Sequence, residues 1–351
     1  MRLITFERNG QQALGAWIDQ DRQVVPLAQA AAQDGTGSAA AFASMQALIE
    51  AGPEAWALAR RLVTSAKGDA VIPTAGCRVL APLPRPIQLR DCLCFPGHVK
   101  GVQVIQAERM IQAAPDPAKK RAELTAAGLF EVPPGFYAFP LYYLSNSLSV
   151  VGPDADVVWP PFSQFIDYEM EWAAVIGTRC HQVKKADARS HIFGYTVFND
   201  WSARDEQMKI MAAFLNLGTG AGKDFANSLG PCIVTADEIE DPYDLTMTVR
   251  LNGQQVSQGS TAGMHWRYED LIEYLSRGHD LLPGEVLGSG TVGGGCSLET
   301  GRMLAPGDEV ELSVQGIGSL RNRVLAPHMN PAAGAQASAA MQASMERMTK
   351  R

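Results

Sequence analysis

The segment from Phe165 to Gly177 has the sequence FIDYEMEWAAVIG, and its pattern decides the fold around it. Polar and apolar residues alternate, which predicts a β-strand with Asp167, Glu169 and Glu171 on one face. The apolar run AAVI that follows predicts that the strand continues into the core. Neighbouring carboxylates repel one another, which leaves two interpretations. The face is either solvated, or it forms a site for a hard divalent cation such as Mg²⁺, Mn²⁺ or Ca²⁺.

The composition excludes several classes of protein. With 46% hydrophobic and 19% charged residues, the chain can bury a large core, which excludes global disorder. Its net charge of −7 argues against nucleic-acid binding, since that function needs a dense basic surface. No apolar run is long enough to span a membrane, and the N-terminus does not resemble a signal peptide, so a cytoplasmic location is expected. The six cysteines form no C-x-x-C pair and predict free thiols.

A proline-rich stretch marks a predicted domain boundary in this chain of 351 residues. Three short β-like runs and a helix come before residues 82–86 (PLPRP), whose composition suits a stiff connector. We therefore expect a small N-terminal α+β domain over residues 1–84 and a larger second domain over residues 85–326. Residues 327–351 are rich in Ala, Met, Ser and Gln and are expected to form a tail.

Short β-like runs split by Gly, Pro and Asn dominate the second domain, so an α+β protein that is mostly β, with few helices, is expected. Tyr268 to Arg277 is one predicted helix, since Gly278 closes it. Lys100 to Gly128 is a predicted helical insert, in which Asp116 caps a helix that begins at Pro117. This insert could cover a cleft.

A second polar segment follows another β-like run. Asp200 lies at the end of that run, and a helix that begins near Ser202 would place Arg204 and Gln207 on one face. Arg, Gln and a carboxylate at neighbouring positions suit the binding of an oxygen-rich anion. The alternative interpretation is a helix cap with a surface salt bridge.

Three further segments carry reactive side chains. Asp91 and His98 come just after the proline-rich connector, although a lone histidine is usually a surface residue or a satisfied core residue. Lys223 follows glycines without the spacing of a P-loop, and it could approach a ligand closely. Residues 288–299 (GSGTVGGGCSLE) are either a flexible turn or a loop that offers backbone N–H donors to a ligand.

Together these segments resemble the fumarylacetoacetate hydrolase superfamily over roughly Arg85 to Val324. The matching motifs are R-D-x-x-x-F-x-x-H from Arg90 to His98, D-Y-E-x-E from Asp167 to Glu171, N-D-W-S-A-R-D-x-Q from Asn199 to Gln207, G-K-D-F from Gly222 to Phe225, and S-G-T from Ser289 to Thr291 leading to Glu299. Five motifs in this order make chance agreement implausible. One departure is Cys92-Leu93-Cys94, where fumarylacetoacetate-cleaving members tend to have polar and aromatic residues, and it leaves the particular substrate open.

The resemblance implies a metal site and a set of catalytic roles. The expected ligands of Mg²⁺, or of Mn²⁺ or Ca²⁺ in its place, are Asp91, Glu169, Glu171 and Asp200. The expected catalytic residues are the base His98, its orienting carboxylate Glu299, and the oxyanion-facing donors Arg204, Gln207 and Lys223. The expected substrate contacts are Tyr143 and Thr291.

The resemblance also implies a fold, a reaction and an assembly. The expected catalytic domain is a roll of mixed β-sheets, or incomplete barrel, beside the small N-terminal domain, and a homodimer is expected. The expected enzyme is a metal-dependent hydrolase that cleaves a C–C bond in an acylpyruvate or β-diketo acid similar to fumarylacetoacetate, from the breakdown of aromatic compounds or sugar acids. The pairing of His98 with Glu299 favours hydrolysis, because an activated water needs an oriented base.

Two other functions stay open at this point. The same metal–enolate site could serve decarboxylation, hydration, dehydration or tautomerisation of a 2-oxo acid, because one fold hosts several chemistries. A metal-stabilised binding protein without catalysis is the other alternative, although the intact set of polar residues argues against it. The expected partner is a small 2-oxo or 1,3-diketo acid, with no nucleic acid and no membrane.

Overall fold

The computed structural model describes residues 1–35, 39–213 and 219–328. About a third of the protein is helix and about a third is strand, so the expectation of few helices was wrong. The helices are α1 (Leu27–Asp34), α2 (Met45–Ser65), α3 (Pro96–Ala113), α4 (Pro117–Ala126), α5 (Lys185–Ala188), α6 (Arg204–Ala212), α7 (Tyr268–Leu275) and α8 (Ser297–Thr300). Most of the predicted tail, residues 329–351, lies outside the described residues.

The strands are mostly short. In chain order they are β1 (Arg2–Arg8), β2 (Gln11–Ile18), β3 (Gln23–Pro26), β4 (Ile72–Pro73), β5 (Arg78–Val79), β6 (Leu89–Cys92), β7 (Tyr142–Ser145), β8 (Val150–Val151), β9 (Asp156–Val158), β10 (Ile166–Asp167), β11 (Met170–Ile176), β12 (Ile192–Asp200), β13 (Ser202–Ala203), β14 (Asn227–Thr235), β15 (Thr246–Leu251), β16 (Gln254–Ser260), β17 (Val286–Gly288), β18 (Glu309–Val314) and β19 (Gly318–Leu325).

One large mixed sheet organises the described part of the chain. Its order is β4-β3-β2-β1-β14-β12-β11-β17-β6-β7, with β5 beside β1 and β8 beside β14. The N-terminal strands join it because β1 pairs antiparallel with β14, with Arg2 opposite Val234. A five-stranded sheet has the order β16-β15-β18-β19-β9, and β10 pairs with β13. The first three strands of the chain therefore extend the sheet that carries the polar motifs.

Both faces of β11 are covered. Trp172 belongs to an apolar cluster that includes Met247 of β15. Ala173 and Val175 belong to a second apolar cluster, which includes Leu48 of α2. A strand that is buried on both faces has an almost continuous apolar sequence, which accounts for the run AAVI. The interpretation of this strand as a solvated outer face is therefore wrong.

The helical insert has the predicted cap but an earlier start. The Asp116 carboxylate accepts a hydrogen bond of 3.0 Å from the backbone N–H of Lys119 in the first turn of α4, as the sequence predicts. Helix α3 begins at Pro96, before the predicted start at Lys100, since proline suits the first turn of a helix. His98 therefore lies in the first turn of α3. No helix in the described ranges is long and apolar enough to cross a membrane.

Candidate active site and metal centre

Four buried carboxylates meet at neighbouring strands. Asp91 lies on β6, Glu171 on β11 and Asp200 at the end of β12, while Glu169 comes directly before β11. One oxygen atom from each of these side chains lies within 4.8 Å of the others. None of the four residues is more than 4% exposed. The structure thus brings together all four residues that the sequence analysis grouped, which we call the carboxylate cluster.

A glycine on the intervening strand allows this convergence. Strand β17 lies between β11 and β6, and Gly288 is the register partner of Asp91. A Cβ atom added to Gly288 would lie 2.7 Å from Oδ1 of Asp91. Any side chain at this position would therefore push the aspartate away from the cluster.

The predicted strand through Asp167, Glu169 and Glu171 is interrupted. Strand β10 ends at Asp167 and β11 begins at Met170, while Glu169 forms an isolated β-bridge with Cys296. The Asp167 carboxylate accepts hydrogen bonds of 2.8 Å from Nε of Arg204 and 2.8 Å from the backbone N–H of Ser297. Asp167 is therefore bound to α6 and α8, and its partner Arg204 also pairs with Glu169. The prediction of one continuous strand through Asp167 and Glu171 was wrong.

Burial and mutual repulsion raise the pKa of three of the four carboxylates when no cation is present. Burial raises the pKa of Glu171 well above its ordinary value, and the charge of Asp91 raises it further. Burial likewise raises the pKa of Asp200 and that of Asp91, although the charge of Lys223 opposes both shifts. Burial also acts to raise the pKa of Glu169, but the charges of Lys223 and Arg204 outweigh it and lower that pKa.

Two buried cations compensate part of this negative charge. Nζ of Lys223 donates hydrogen bonds of 2.5 Å to Glu169 and 2.5 Å to Asp200. Nη1 of Arg204 lies 2.7 Å from an oxygen of Glu169. Burial acts to lower the pKa of Lys223, but the charges of Asp200 and Glu169 outweigh it and raise that pKa, so the ammonium stays charged. Because Arg204 is buried, the interpretation of this segment as a surface salt bridge is wrong.

The residues present fit a hard divalent cation. The carboxylate cluster supplies only oxygen ligands, which Mg²⁺, Mn²⁺ and Ca²⁺ prefer. Oδ1 of Asp200 is buried and has no hydrogen-bond partner among the described residues. Such an atom is costly unless something binds it, and a cation would satisfy it. Asp91, Glu169, Glu171 and Asp200 would therefore hold the ion.

A histidine and a glutamate face each other beside the carboxylate cluster. Nδ1 of His98 lies 2.8 Å from Oε2 of Glu299, and we call this pair the dyad. The backbone N–H of Gly294 donates a hydrogen bond of 3.0 Å to Oε1 of Glu299. A Cβ atom added to Gly101 of α3 would lie 2.4 Å from the same oxygen, so a glycine is needed for this close approach. Glu299 is thus held from two sides in a position that orients the imidazole.

The expected substrate contacts also lie against the carboxylate cluster. The Tyr143 hydroxyl on β7 donates a hydrogen bond to Asp200. Burial, followed by the charge of Asp200, raises the pKa of Tyr143 well above its ordinary value, so the phenol keeps its proton. The Thr291 hydroxyl donates to Oε1 of Glu171 at 3.4 Å. Both residues therefore contact predicted metal ligands.

A small cavity of about 170 Å³ opens onto these groups. Eight of the residues that line it come from the predicted set: Asp91, His98, Tyr143, Glu169, Arg204, Gln207, Lys223 and Thr291. The other three predicted residues, Glu171, Asp200 and Glu299, lie behind these and do not line the cavity. Two further lining residues, Gly290 and Leu298, lie in the loop of residues 288–299 that the sequence singled out. The remaining lining residues were not predicted, and they are Leu93, Val102, Ile105, Gln106, Arg109 and Met208.

Four of the missed residues share a face of α3. Val102, Ile105, Gln106 and Arg109 follow His98 at helical spacing, so this pattern could have indicated them once His98 was placed in a site. Nη1 of Arg109 lies 3.8 Å from the Met208 sulfur, and no acidic side chain in the described residues pairs with its guanidinium. Burial lowers the pKa of Arg109. A partly buried arginine without a carboxylate partner is a candidate ligand-binding group.

Two curated proteins are similar to about half of this chain. The chain is 38% identical over 187 residues to the mitochondrial oxaloacetate tautomerase FAHD2A of Homo sapiens, a match that covers 53% of this chain and 59% of that protein. It is 32% identical over 188 residues to oxaloacetate tautomerase YisK of Bacillus subtilis, over 53% of this chain and 61% of that protein. Each match thus spans less than two thirds of the relative's length.

A solved structure has the same fold. The solved structure of a fumarylacetoacetate hydrolase from Exiguobacterium antarcticum superposes with a TM-score of 0.68 at 24% identity, covering 93% of this chain and 99% of that chain. The family model described as fumarylacetoacetate (FAA) hydrolase, C-terminal, matches residues 115–325. That range is more than half of the chain. The protein therefore belongs to the fumarylacetoacetate hydrolase family.

Proposed function

We propose that the protein is a divalent-metal-dependent tautomerase, which interconverts the keto and enol forms of a short 2-oxo dicarboxylic acid similar to oxaloacetate. One observation carries this proposal: a small cavity is lined by carboxylate ligands and by a cation, Arg109, that lacks an acidic partner among the described residues. The names of the two similar tautomerases support the same reaction. This proposal replaces C–C hydrolysis as the preferred function.

The size and polarity of the cavity favour a small dianion. A volume of about 170 Å³ is below the range of roughly 300–1,000 Å³ that is typical of sites for drug-sized ligands. The 2-oxo acid group suits the metal centre, since its two oxygens can chelate a hard cation. A second carboxylate would then suit Arg109, because guanidinium binds carboxylate through paired hydrogen bonds. Leu93, Val102 and Ile105 also line the cavity with apolar side chains, which offer no polar group to a substrate.

The reaction needs a bound cation, a base and hydrogen-bond donors. When bound, the divalent cation would stabilise negative charge on the oxygens of the 2-oxo acid. His98 is the proposed base, which removes a proton from carbon 3 of the keto form and transfers it to the enolate oxygen on carbon 2. The reverse reaction moves the same proton back to carbon 3. Glu299 fixes the imidazole through Nδ1 and leaves Nε2 for the substrate. Lys223, Arg204 and Gln207 are proposed to donate hydrogen bonds to the developing enolate.

The residues that carry these roles come from two parts of the chain. The family match begins at residue 115, so Asp91, His98 and Arg109 lie before the matched range. Their proposed roles rest on the geometry described above and on the motif from Arg90 to His98. Glu169, Glu171, Asp200 and the rest of the expected set lie within it.

Hydrolysis of an acylpyruvate is the second candidate. The observation that favours it is the hydrogen bond of 2.8 Å between His98 and Glu299, because the same dyad could activate a water molecule for attack on a carbonyl carbon. Tautomerisation needs only that a proton be moved on the substrate itself. The two reactions therefore share residues and differ in whether a C–C bond breaks.

An assay on two substrates separates the candidates. With Mg²⁺ present, enol-oxaloacetate is followed by the loss of its ultraviolet absorbance, and an acylpyruvate is followed by the release of pyruvate. We expect the enol to convert faster than in buffer alone and the acylpyruvate to stay intact. Pyruvate release at a rate comparable to enol conversion would favour the hydrolase instead.

A matched pair of arginine variants tests the substrate class. Arg109→Gln should raise KM for oxaloacetate at least tenfold, since one charge-assisted pair contributes about 1.5–3 kcal/mol. The KM for a monocarboxylic 2-oxo acid should stay unchanged. Arg121→Gln is the control, because Arg121 lies on α4 and pairs with Glu108 at 2.7 Å. Equal effects on the dicarboxylic and monocarboxylic substrates would contradict the role of Arg109.

The expected homodimer, the cytoplasmic location and a place in the breakdown of aromatic compounds or sugar acids stay predictions.

A further inference from the structure

A second group of metal-ligating side chains lies beside the carboxylate cluster. One ligand atom each from His98, Cys296 and Glu299 lies within 4.8 Å of the others. The Cys296 thiol donates a hydrogen bond of 3.3 Å to Oε2 of Glu299, the same oxygen that lies 2.8 Å from Nδ1 of His98. A nitrogen, a sulfur and an oxygen thus surround one small volume.

The spacing of these atoms is close to that of a tetrahedral zinc site. At the usual Zn–N, Zn–O and Zn–S bond lengths, tetrahedral ligands are about 3.3 Å apart for N and O and about 3.5 Å apart for S and O. The observed separations of 2.8 Å and 3.3 Å are a few tenths of an ångström shorter. For these two pairs, a Zn²⁺ ion needs only a small outward movement of the side chains, and the His98 nitrogen lies within 4.8 Å of the Cys296 sulfur.

We propose that His98, Cys296 and Glu299 form an inhibitory zinc site that is separate from the carboxylate cluster. The ion would bind Nδ1 of His98, the nitrogen that faces Glu299, and a water molecule would complete its four ligands. Zinc at this position uses both members of the dyad as ligands. The inhibition rests on the proposed function, because it follows from the role of His98 as base. The binding of zinc does not depend on that role.

The two clusters select different ions. Thiolate and imidazole are favourable ligands for Zn²⁺, whereas Mg²⁺ prefers oxygen ligands and keeps its waters. Mg²⁺ in the carboxylate cluster should therefore leave the second site free for zinc. The sites are neighbours, because Glu169 of the carboxylate cluster and Cys296 are paired by an isolated β-bridge.

Binding requires the thiol to give up its proton. Cys296 is fully buried, and as a thiol it donates to Glu299. Zinc would replace this proton, which leaves to solvent, and the proton on Nδ1 of His98 would move to Nε2, so that three metal–ligand bonds replace the two hydrogen bonds inside the group. No electron transfer is involved, so no oxidant or reductant is needed.

Cobalt provides an optical test on the full chain. The protein is saturated with Mg²⁺ and titrated with Co²⁺, and the thiolate-to-cobalt charge-transfer band in the near ultraviolet is recorded. We expect one equivalent of cobalt to give the band, zinc to abolish it, and Cys296→Ser to lack it. Cys180→Ser is the control, because Cys180 is also buried but donates to the Thr178 carbonyl at 3.3 Å, and it should keep the band.

A calorimetric titration with Zn²⁺ completes the test. In excess Mg²⁺, Cys296→Ser should weaken zinc binding at least tenfold and leave Mg²⁺ affinity unchanged. A charge-transfer band that persists in Cys296→Ser would overturn the proposal. The proposal would also fail if Glu171→Gln lost zinc binding while Cys296→Ser kept it. These readouts do not depend on activity, so a failure of the tautomerase assay leaves their outcome intact.

Discussion

Glu169 and Glu171 provide a matched pair of perturbations, because the two side chains share one cluster but have different neighbours. Glu169 accepts hydrogen bonds from the ammonium of Lys223 and pairs with the guanidinium of Arg204. Glu171 accepts from the backbone N–H of Gly290 at 2.9 Å and contacts no cation among the described residues. Substitution of each glutamate by glutamine removes one charge and keeps the shape.

The expected effects on stability have opposite signs. Glu169→Gln leaves two buried cations short of one carboxylate, and loss of one partner from a buried ion pair costs about 3–5 kcal/mol. Because the glutamine oxygen can still accept a hydrogen bond, we expect the lower end, about 3 kcal/mol. Glu171→Gln removes a charge that burial and Asp91 disfavour, so the metal-free variant should be at least as stable as the natural protein.

Both variants should lose the stabilisation that Mg²⁺ provides. An ion at one hundred times its Kd raises the free energy of unfolding by about 2.7 kcal/mol. The assay is urea unfolding in EDTA and in Mg²⁺, with calorimetric titration of the metal. The reasoning fails if Glu171→Gln destabilises the metal-free protein as much as Glu169→Gln does, or if either variant keeps the natural Mg²⁺ affinity.

Three further predictions concern the base, the pH and the insert. His98→Ala should keep its affinity for metal and ligand but lose about 10²-fold or more in kcat, and Glu299→Gln should show a smaller loss of kcat. Steady-state kinetics will measure kcat, and calorimetry will measure the two affinities. In EDTA, the raised pKa of Glu171 contributes stability that is complete below the ordinary value of 4.5 and is lost as the pH rises through the folded-state pKa. The free energy of unfolding, measured in urea at several pH values, should therefore fall less steeply with pH in Glu171→Gln. Equal slopes in the two proteins would contradict this. Hydrogen exchange of Lys100–Gly128 should slow when oxalate and Mg²⁺ bind, whereas unchanged exchange would indicate a fixed helical layer.

The alternation in FIDYEMEWAAVIG could predict a strand but not its surroundings. Whether Glu169 and Glu171 face solvent depends on α2 and β15, which are distant in sequence and cover the two faces of β11. Local spacing therefore left the two interpretations open, and only the resemblance favoured the metal site. The break at Tyr168 and Glu169 also depends on a distant partner, Cys296.

Helix α3 illustrates a different limit. The residues that line the cavity after His98 recur at helical spacing, but apolar residues recur at the same spacing in any surface helix. Arg109 differs from Arg121, the other arginine of the insert, in what surrounds it, since Arg121 has a carboxylate partner and Arg109 has none in the described residues. Cys296 is similar: its sequence context predicts a free thiol, and the proximity of its sulfur to Glu299 arises from tertiary structure.

The central claim is that a metal held by the carboxylate cluster drives keto–enol interconversion of a short 2-oxo dicarboxylic acid. The most direct measurement is the initial rate of enol-oxaloacetate conversion on chelated protein as Mg²⁺ is added back, beside the Mg²⁺ Kd from calorimetry on the same sample. The rate should rise from the buffer value and reach half its maximum at a free Mg²⁺ concentration close to that Kd, and Glu171→Gln should stay at the buffer value throughout. A full rate in the chelated protein, or a rate that Mg²⁺ does not change, would contradict the claim.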